Sequence, residues 1–152
     1  MISDFAELLR VFNRSGVKYL LIGGHAVMHY TEPRYTKDLD LWVEASPQNS
    51  VSVVEALRIF GAPLVRRATW KIDSGGFAEV GYFYSMGVPP ARVDIMMSIS
   101  GVSFEQAWER RETTLFEGVE TPVISKADLI AAKKSAGRAR DLADLESLET
   151  GY

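Results

Sequence analysis

Residues 38–44 read Asp-Leu-Asp-Leu-Trp-Val-Glu, an alternation of polar and apolar side chains as far as Trp42. Period two marks an extended strand, so Asp38 and Asp40 emerge from the same face, about 6.6 Å apart along the backbone. Aspartate is depleted in strands, and two ionised carboxylates on one face repel each other unless water or a cation separates them. The pair therefore reads either as a solvated edge strand or as two oxygen donors for a shared hard metal ion. A third acid stands in the same position: Asp94 lies between Val93 and Ile95 in a second strand-like run, 93–99. A lone carboxylate is costly there unless it faces a polar cleft. Three strand acids of this kind could hold one or two Mg²⁺ ions, with substrate phosphates completing the shell, which is phosphoryl-transfer chemistry.

Composition narrows the metal chemistry further. The 152 residues include no cysteine, so disulfides, thiolate zinc sites and cysteine nucleophiles are excluded, and any metal sits on oxygen or imidazole. The net charge of −3, with 47% hydrophobic and 24% charged residues, is ordinary for a globular protein and gives no support for broad attraction to nucleic acid. Length predicts one domain over 1–152, with a core at about 17–100 and C-terminal helices at about 125–150. The opening MISDFAELLR has neither a basic segment nor a long apolar one, and no window reaches the roughly 18 apolar residues of a membrane span. A cytoplasmic protein without a membrane partner is the expectation.

Local signals give the element order. Ser3 is a helix N-cap, and Phe5, Leu8, Leu9 and Phe12 follow at helical spacing on a segment ending near Gly16. Residues 17–22 read as a strand, Gly23-Gly24 closes it, and a short helix from His25 to Tyr30 stops before Pro33. Ser46-Pro47 opens a helix towards Gly61, and residues 62–86 read as strands joined by turns, with Ser74-Gly75-Gly76 as a hairpin or mobile loop. After Pro89-Pro90 and the strand 93–99, a helix spans about 104–111. Ser125 and Asp128 have capping-box spacing, with Ile124 and Leu129 as its staple, for a helix running to Gly137. A last helix from about Arg138 places Leu142, Leu145 and Leu148 on an apolar stripe, with Asp141, Asp144, Glu146 and Glu149 largely elsewhere. Strands interspersed with helices, without a regular βα repeat, predict an α+β (mixed α/β) layer fold.

The glycine pair Gly23-Gly24 could let bare backbone approach a phosphate at the start of a helix, although a tight turn alone would also account for it. His25 lines a nucleotide site or is a partly buried hydrogen-bonder, and His29 reads as structural. Arg34 is a bidentate phosphate ligand or a solvated surface residue. Arg66, Arg67 and Lys71, with Trp70 among them, read as RNA contacts or as a solvated strand face. Lys126, Lys133, Lys134, Arg138 and Arg140 place five cations in fifteen residues containing one acid, Asp128, which is the best electropositive patch available. Lys133 and Lys134 differ by about 100° around a helix, so only one of them can face a cleft.

The succession of a glycine pair, a spacer, DLDL and a later strand aspartate resembles the signature of the polymerase-beta-like nucleotidyltransferase superfamily. More narrowly, GGHAVMHYTEPRYTKDLDLWVE followed by SKADLIAAKKSAGRARDLADLESL is similar to its short toxin-associated branch, the AbiEii-type and MenT-type enzymes. The similar blocks, about 19–44, 92–98 and 124–148, cover about half of the chain. This resemblance implies a mixed sheet with helices packed on it and a C-terminal helical pair. It implies a metal triad of Asp38, Asp40 and Asp94, and a nucleotide-phosphate loop at Gly23 and Gly24. It further implies a triphosphate contact at Thr36, a phosphate-neutralising Lys133, and Asp141 in the same active centre. The implied reaction transfers a nucleotide from a nucleoside triphosphate such as ATP to an acceptor hydroxyl, with Mg²⁺ or Mn²⁺ as cofactor. The implied acceptor is a tRNA end, with a protein hydroxyl or an antibiotic as alternatives, and an antitoxin is the implied partner protein. A catalytically silent nucleotide-binding module is the alternative of a different class.

Overall fold

The computed structural model describes residues 3–62, 65–67, 70–71, 75–79, 83–87 and 92–151. Helix α1 (Asp4–Arg14) starts where Ser3 accepts the Ala6 N–H at 3.2 Å, and Leu8, Leu9 and Phe12 on its inner face are fully buried. Strand β1 (Tyr19–Ile22) runs directly into α2 (Gly23–Tyr30), so the two glycines are the first residues of that helix and not a link before it. Strand β2 (Asp38–Val43) follows, then α3 (Pro47–Phe60), opened by Ser46 with Pro47 at its first turn and closed by Gly61 at φ 89°. Both ends match the sequence signals.

Strands β3 (Val65–Arg67) and β4 (Trp70–Lys71) pair as a separate antiparallel ribbon. The side chains of Arg66, Arg67, Trp70 and Lys71 lie outside what the structure describes, as do Ser74 and Pro89-Pro90; Gly75 and Gly76 lie in a turn. Strand β5 (Phe83–Met86) precedes β6 (Arg92–Met96), which ends three residues earlier than its apolar pattern suggests, because Ile99 bridges Val102 instead. Helix α4 (Phe104–Glu109) leads to a hairpin that the sequence reading did not anticipate, β7 (Glu112–Phe116) and β8 (Val119–Val123). Its two-residue turn places Glu117 at φ 48° and Gly118 at φ 83°, the left-handed pair that matches strand twist. Helices α5 (Lys126–Ala136) and α6 (Ala139–Thr150) complete the order, with the expected glycine stop at Gly137.

Six strands form one mixed sheet in the order β5-β6-β2-β1-β8-β7, with β2/β6 and β1/β8 parallel and the other pairs antiparallel. This is the predicted α+β architecture. Leu39, Leu41 and Val43 of β2 and Val93 and Ile95 of β6 enter the core shared with α1 and α3. The opposite face carries Asp38, Asp40, Arg92 and Asp94, and beyond Asp40 it is closed by Trp42, edge-on to Phe104 with ring centroids 5.1 Å apart. Among the described residues no helix is long and apolar enough to cross a membrane.

Two expectations at the C-terminus need correction. Ser125 does accept the Asp128 N–H at 3.1 Å over the buried Ile124 and Leu129, but the Asp128 carboxylate takes the Arg110 guanidinium at 2.8 and 3.0 Å. On α6, Leu145 and Leu148 point inward as predicted, while Leu142 is 59% exposed and Asp141 and Asp144 are buried. Cations on neighbouring elements draw the two acids in.

A single buried amide ties the site-bearing strands together. Asn49 of α3 accepts the Lys18 N–H at 2.8 Å and donates to the carbonyls of Lys18 at 3.0 Å and Glu44 at 2.9 Å. It thus joins the start of β1 to the end of β2, whose register sets Asp40 beside Ile22. Replacing Asn49 with Ala leaves the Lys18 N–H without an acceptor and strips one donor each from the Lys18 and Glu44 carbonyls, which keep their bonds from the Glu44 and Ser46 N–H groups, and a loss of about 1–3 kcal/mol in chemical denaturation is expected. Asn49→Asp should do no better, since a carboxylate cannot donate to the two carbonyls.

Candidate active site

Parallel pairing of β2 with β6 sets Asp40 opposite Asp94 and Asp38 opposite Arg92, so the three acids share one small area of the sheet. One Nη of Arg92 lies 3.1 Å from Asp38 and 3.1 Å from Asp94, and Ser85 of β5 donates its hydroxyl to Asp94. Burial, followed by the charges of Asp94 and Asp38, pushes the Asp40 pKa up to about 6, with Arg92 working the other way. One oxygen of Asp38, Oδ1, is buried without a hydrogen-bond partner. Among the described residues no three acids or histidines converge tightly enough on one point to form a closed metal shell. The donor set nevertheless fits a hard divalent ion: all donors are carboxylate oxygens, one is orphaned, and their mutual repulsion is only partly offset by one guanidinium.

The glycines are required by what sits against them. Gly23 adopts φ +69°, and a Cβ there would lie 2.1 Å from Asp40 Oδ2. A Cβ on Gly24 would lie 2.8 Å from the Thr36 hydroxyl oxygen, with a guanidinium nitrogen of Arg34 at 3.7 Å. The bare backbone at the start of α2 therefore lets Asp40, Thr36 and Arg34 gather around it. His25 is not brought to this place: its ring packs edge-on against Phe116 at 5.1 Å and Phe5 at 6.3 Å, and burial favours its neutral form. His29 packs against Tyr30, in keeping with a structural role.

Helices α5 and α6 form the opposite wall. Lys133, only 13% exposed, lies 3.0 Å from Asp144 and 3.3 Å from Asp141, whereas Lys134 is 63% exposed and reaches only Glu149 at 3.7 Å. Of the two neighbouring lysines, Lys133 faces the site. Asp144 also accepts Arg34 at 2.6 Å, and Asp141 accepts Arg138 Nε at 2.7 Å and the Arg138 N–H at 3.1 Å. Burial works to raise the pKa of both acids, yet Arg138 and Lys133 at Asp141, and Arg34 and Lys133 at Asp144, hold both below the ordinary aspartate value. The electropositive patch read from the sequence is thus divided: Lys133, Lys134 and Arg138 each hold a carboxylate.

A cavity of about 620 Å³ lies between the two walls. It brings together Gly23, Gly24, Arg34, Thr36, Asp38, Asp40, Asp94, Lys133 and Asp141, whereas His25, read as a nucleotide-site candidate, is not among the described residues that line it. Arg92, Ser85 and Asp144 were missed. Arg92 was detectable, since a residue two before Asp94 in a strand shares its face. Asp144 was detectable as an acid one helical turn after Asp141, but the leucine stripe masked it. Among the described residues, five acids and five cations line the cavity: three acids and Arg92 on the sheet side, and two acids with Arg34, Lys133, Arg138 and Arg140 on the other.

The charge on Asp40 opposes folding. Its folded pKa lies above the unfolded value of 3.8, so this penalty is complete above about pH 6 and fades as the pH falls towards 4. In metal-free buffer at pH 8, Asp40→Asn should raise stability by up to about 3 kcal/mol. That gain should shrink at pH 5, as thermal unfolding at the two pH values would show.

The comparisons with known proteins agree with this geometry. A family model described as "Nucleotidyl transferase of unknown function (DUF2204)" matches residues 1–151. No curated protein matches the chain by sequence. Among solved structures, the lincosamide antibiotic adenylyltransferase LnuA with lincomycin bound is similar at TM-score 0.61 and 18% identity, over 98% of this chain and 96% of that one. The antibiotic-resistance factor ANT(2'')-Ia is similar at TM-score 0.59 and 9% identity, over 99% and 85%. An antigenic nucleotidyltransferase-like protein from Paracoccidioides brasiliensis follows at TM-score 0.55 and 16% identity, over 94% and 72%. At these identities the structures speak for the fold alone, whereas the family match spans nearly every residue. The chain belongs to that nucleotidyl transferase family and is a nucleotidyltransferase.

Proposed function

We propose that this enzyme transfers a nucleotide from a nucleoside triphosphate to an acceptor hydroxyl and releases pyrophosphate, with Mg²⁺ or Mn²⁺ bound by Asp38, Asp40 and Asp94. The observation that carries this reading is the facing of three crowded carboxylates by a cationic helix wall across one cavity. A bound divalent ion would supply the positive charge that the carboxylates lack and would polarise the α-phosphate. The acceptor oxygen bonds to the α-phosphorus while the bond from that phosphorus to the pyrophosphate oxygen breaks. Asp94, on the strand farther from the glycines, takes the acceptor's proton. Thr36, Arg34 and the bare backbone of Gly23 and Gly24 receive phosphate oxygens, and Lys133 offsets the charge of the leaving pyrophosphate. Asp141 and Asp144 hold the Lys133 ammonium in place.

A tRNA end as acceptor and an antitoxin as partner rest on the resemblance of the sequence blocks. Three of the five cations of the electropositive patch are already held by carboxylates of the protein itself, which lends that acceptor little support. A silent nucleotide-binding module has no need of three mutually repelling strand acids.

Labelled nucleotide incubated with Mg²⁺ and a cell lysate should label an acceptor in the presence of wild-type protein and not of Asp38→Ala; equal transfer by both would contradict the proposal. Lys133→Met should lower the transfer rate by about 10²-fold or more, while Lys134→Met stays within about twofold of wild type.

A further inference from the structure

We propose that Arg92 is a resident counterion, seated against Asp38 and Asp94 in place of a divalent cation, and that its displacement couples metal binding to nucleotide binding. The inference rests on the reading of Asp38, Asp40 and Asp94 as a metal site. Strand geometry fixes where Arg92 stands. It lies two residues before Asp94 on β6 and directly opposite Asp38 on β2, so its side chain leaves the sheet on the face of the three acids. One nitrogen, Nη2, is 3.1 Å from Asp38 Oδ2 and 3.1 Å from Asp94 Oδ2. Among the described residues no other cation is paired with an acid of this cluster.

The contact is incomplete as an ion pair. Elsewhere in the chain Arg110 grips Asp128 with two nitrogens on two oxygens, at 3.0 and 2.8 Å, which is the fork that a guanidinium plane favours. Arg92 instead straddles two carboxylates with one nitrogen, while its own Nε and the Oδ1 of Asp38 are both buried without a hydrogen-bond partner. A pair kept for stability alone would satisfy these groups, because each carries a desolvation cost when unmet. What the straddling position achieves is one positive charge shared between two negative ones, which is the role of a bridging cation.

A divalent ion and the guanidinium therefore compete. Both are drawn to the same two oxygens, and at close range in a half-buried site they repel each other. A bare ion binds the acids weakly while Arg92 is seated. A triphosphate changes the balance, since it brings negative charge into the cavity that Arg92 also lines, where the arginine side chain is 42% exposed and can turn to a phosphate oxygen. Metal and nucleotide then each ease the entry of the other by the same factor, as linkage requires.

The test measures Mn²⁺ binding to the full chain at pH 8 by electron paramagnetic resonance, and calorimetry of a non-hydrolysable triphosphate with and without Mn²⁺ gives the coupling. Arg92→Met removes the charge and should bind Mn²⁺ alone about tenfold more tightly than wild type, while the coupling shrinks several-fold. Arg92→Lys keeps the charge and should stay within about threefold of wild type in both measurements. Arg92→Gln should follow the Met variant, and it carries the test if that variant does not fold. Tighter binding is the readout that a merely structural arginine would not give, since its loss would loosen the site. Mn²⁺ affinity unchanged or weakened in the folded neutral variants, or coupling of wild-type size in them, would overturn the counterion and leave the metal site standing. Absence of Mn²⁺ binding to wild type and variants alike, alone and with the triphosphate, would overturn the reading on which it rests.

Discussion

Repulsion among Asp38, Asp40 and Asp94 is the constraint around which this fold is arranged. Strand register forces the three carboxylates together: Asp40 and Asp94 are direct neighbours across β2 and β6, and Asp38 lies one pleat away. The sequence supplies partial relief on every side. Arg92 reaches Asp38 and Asp94, Ser85 donates to Asp94, and Asp40 shifts towards its protonated form. None of these removes the cost. That a fold keeps such a cluster on a sheet, when three amides would be less costly, is what supports the proposal of a ligand that needs the negative charge.

The second wall solves the opposite problem. In the proposed reaction Lys133 and Arg34 serve a polyanion yet have to be held in place when it is absent, and a long flexible cation left free would lose much of its effect to rotamer entropy. Asp141 and Asp144 fix them, and burial makes those acids effective anchors because charge interactions strengthen away from water. The outcome is a cavity in which the charges of the described lining residues balance in number while remaining separated in space. Such separation provides a directed field without a large net charge, in keeping with the total of −3 for the chain.

Much of this was legible in the sequence because it depends on short-range pattern. The DLDL alternation, the Ser46-Pro47 helix start and the Gly61 and Gly137 stops are written in adjacent residues, and the structure carries them out. The hairpin β7–β8 was not seen, since Glu117 does not announce a left-handed turn as Asn would, and Thr113, Thr114 and Thr121 blur the apolar alternation. Asp144 was assigned to the outer face of α6 because periodicity counts apolar residues and cannot register that Arg34, 110 positions earlier, draws a carboxylate inward. His25 failed for the same reason in reverse: its place beside Gly24 suggested the cavity, but Phe5 and Phe116 come from distant elements to enclose its ring. Contacts between remote segments decide these positions, and local spacing does not encode them.

The measurement that bears most directly on the account is the thermal unfolding midpoint at pH 8 with and without Mn²⁺, for wild type and for Asp38→Asn. If the carboxylate cluster exists to hold a divalent ion, Mn²⁺ raises the midpoint of the wild-type protein in a concentration-dependent way, because the ion binds the folded state and not the unfolded chain. The Asn variant, with one donor lost and less repulsion to relieve, gains far less. No shift in the wild type, or an equal shift in both proteins, would contradict the claim that these three aspartates form a metal site.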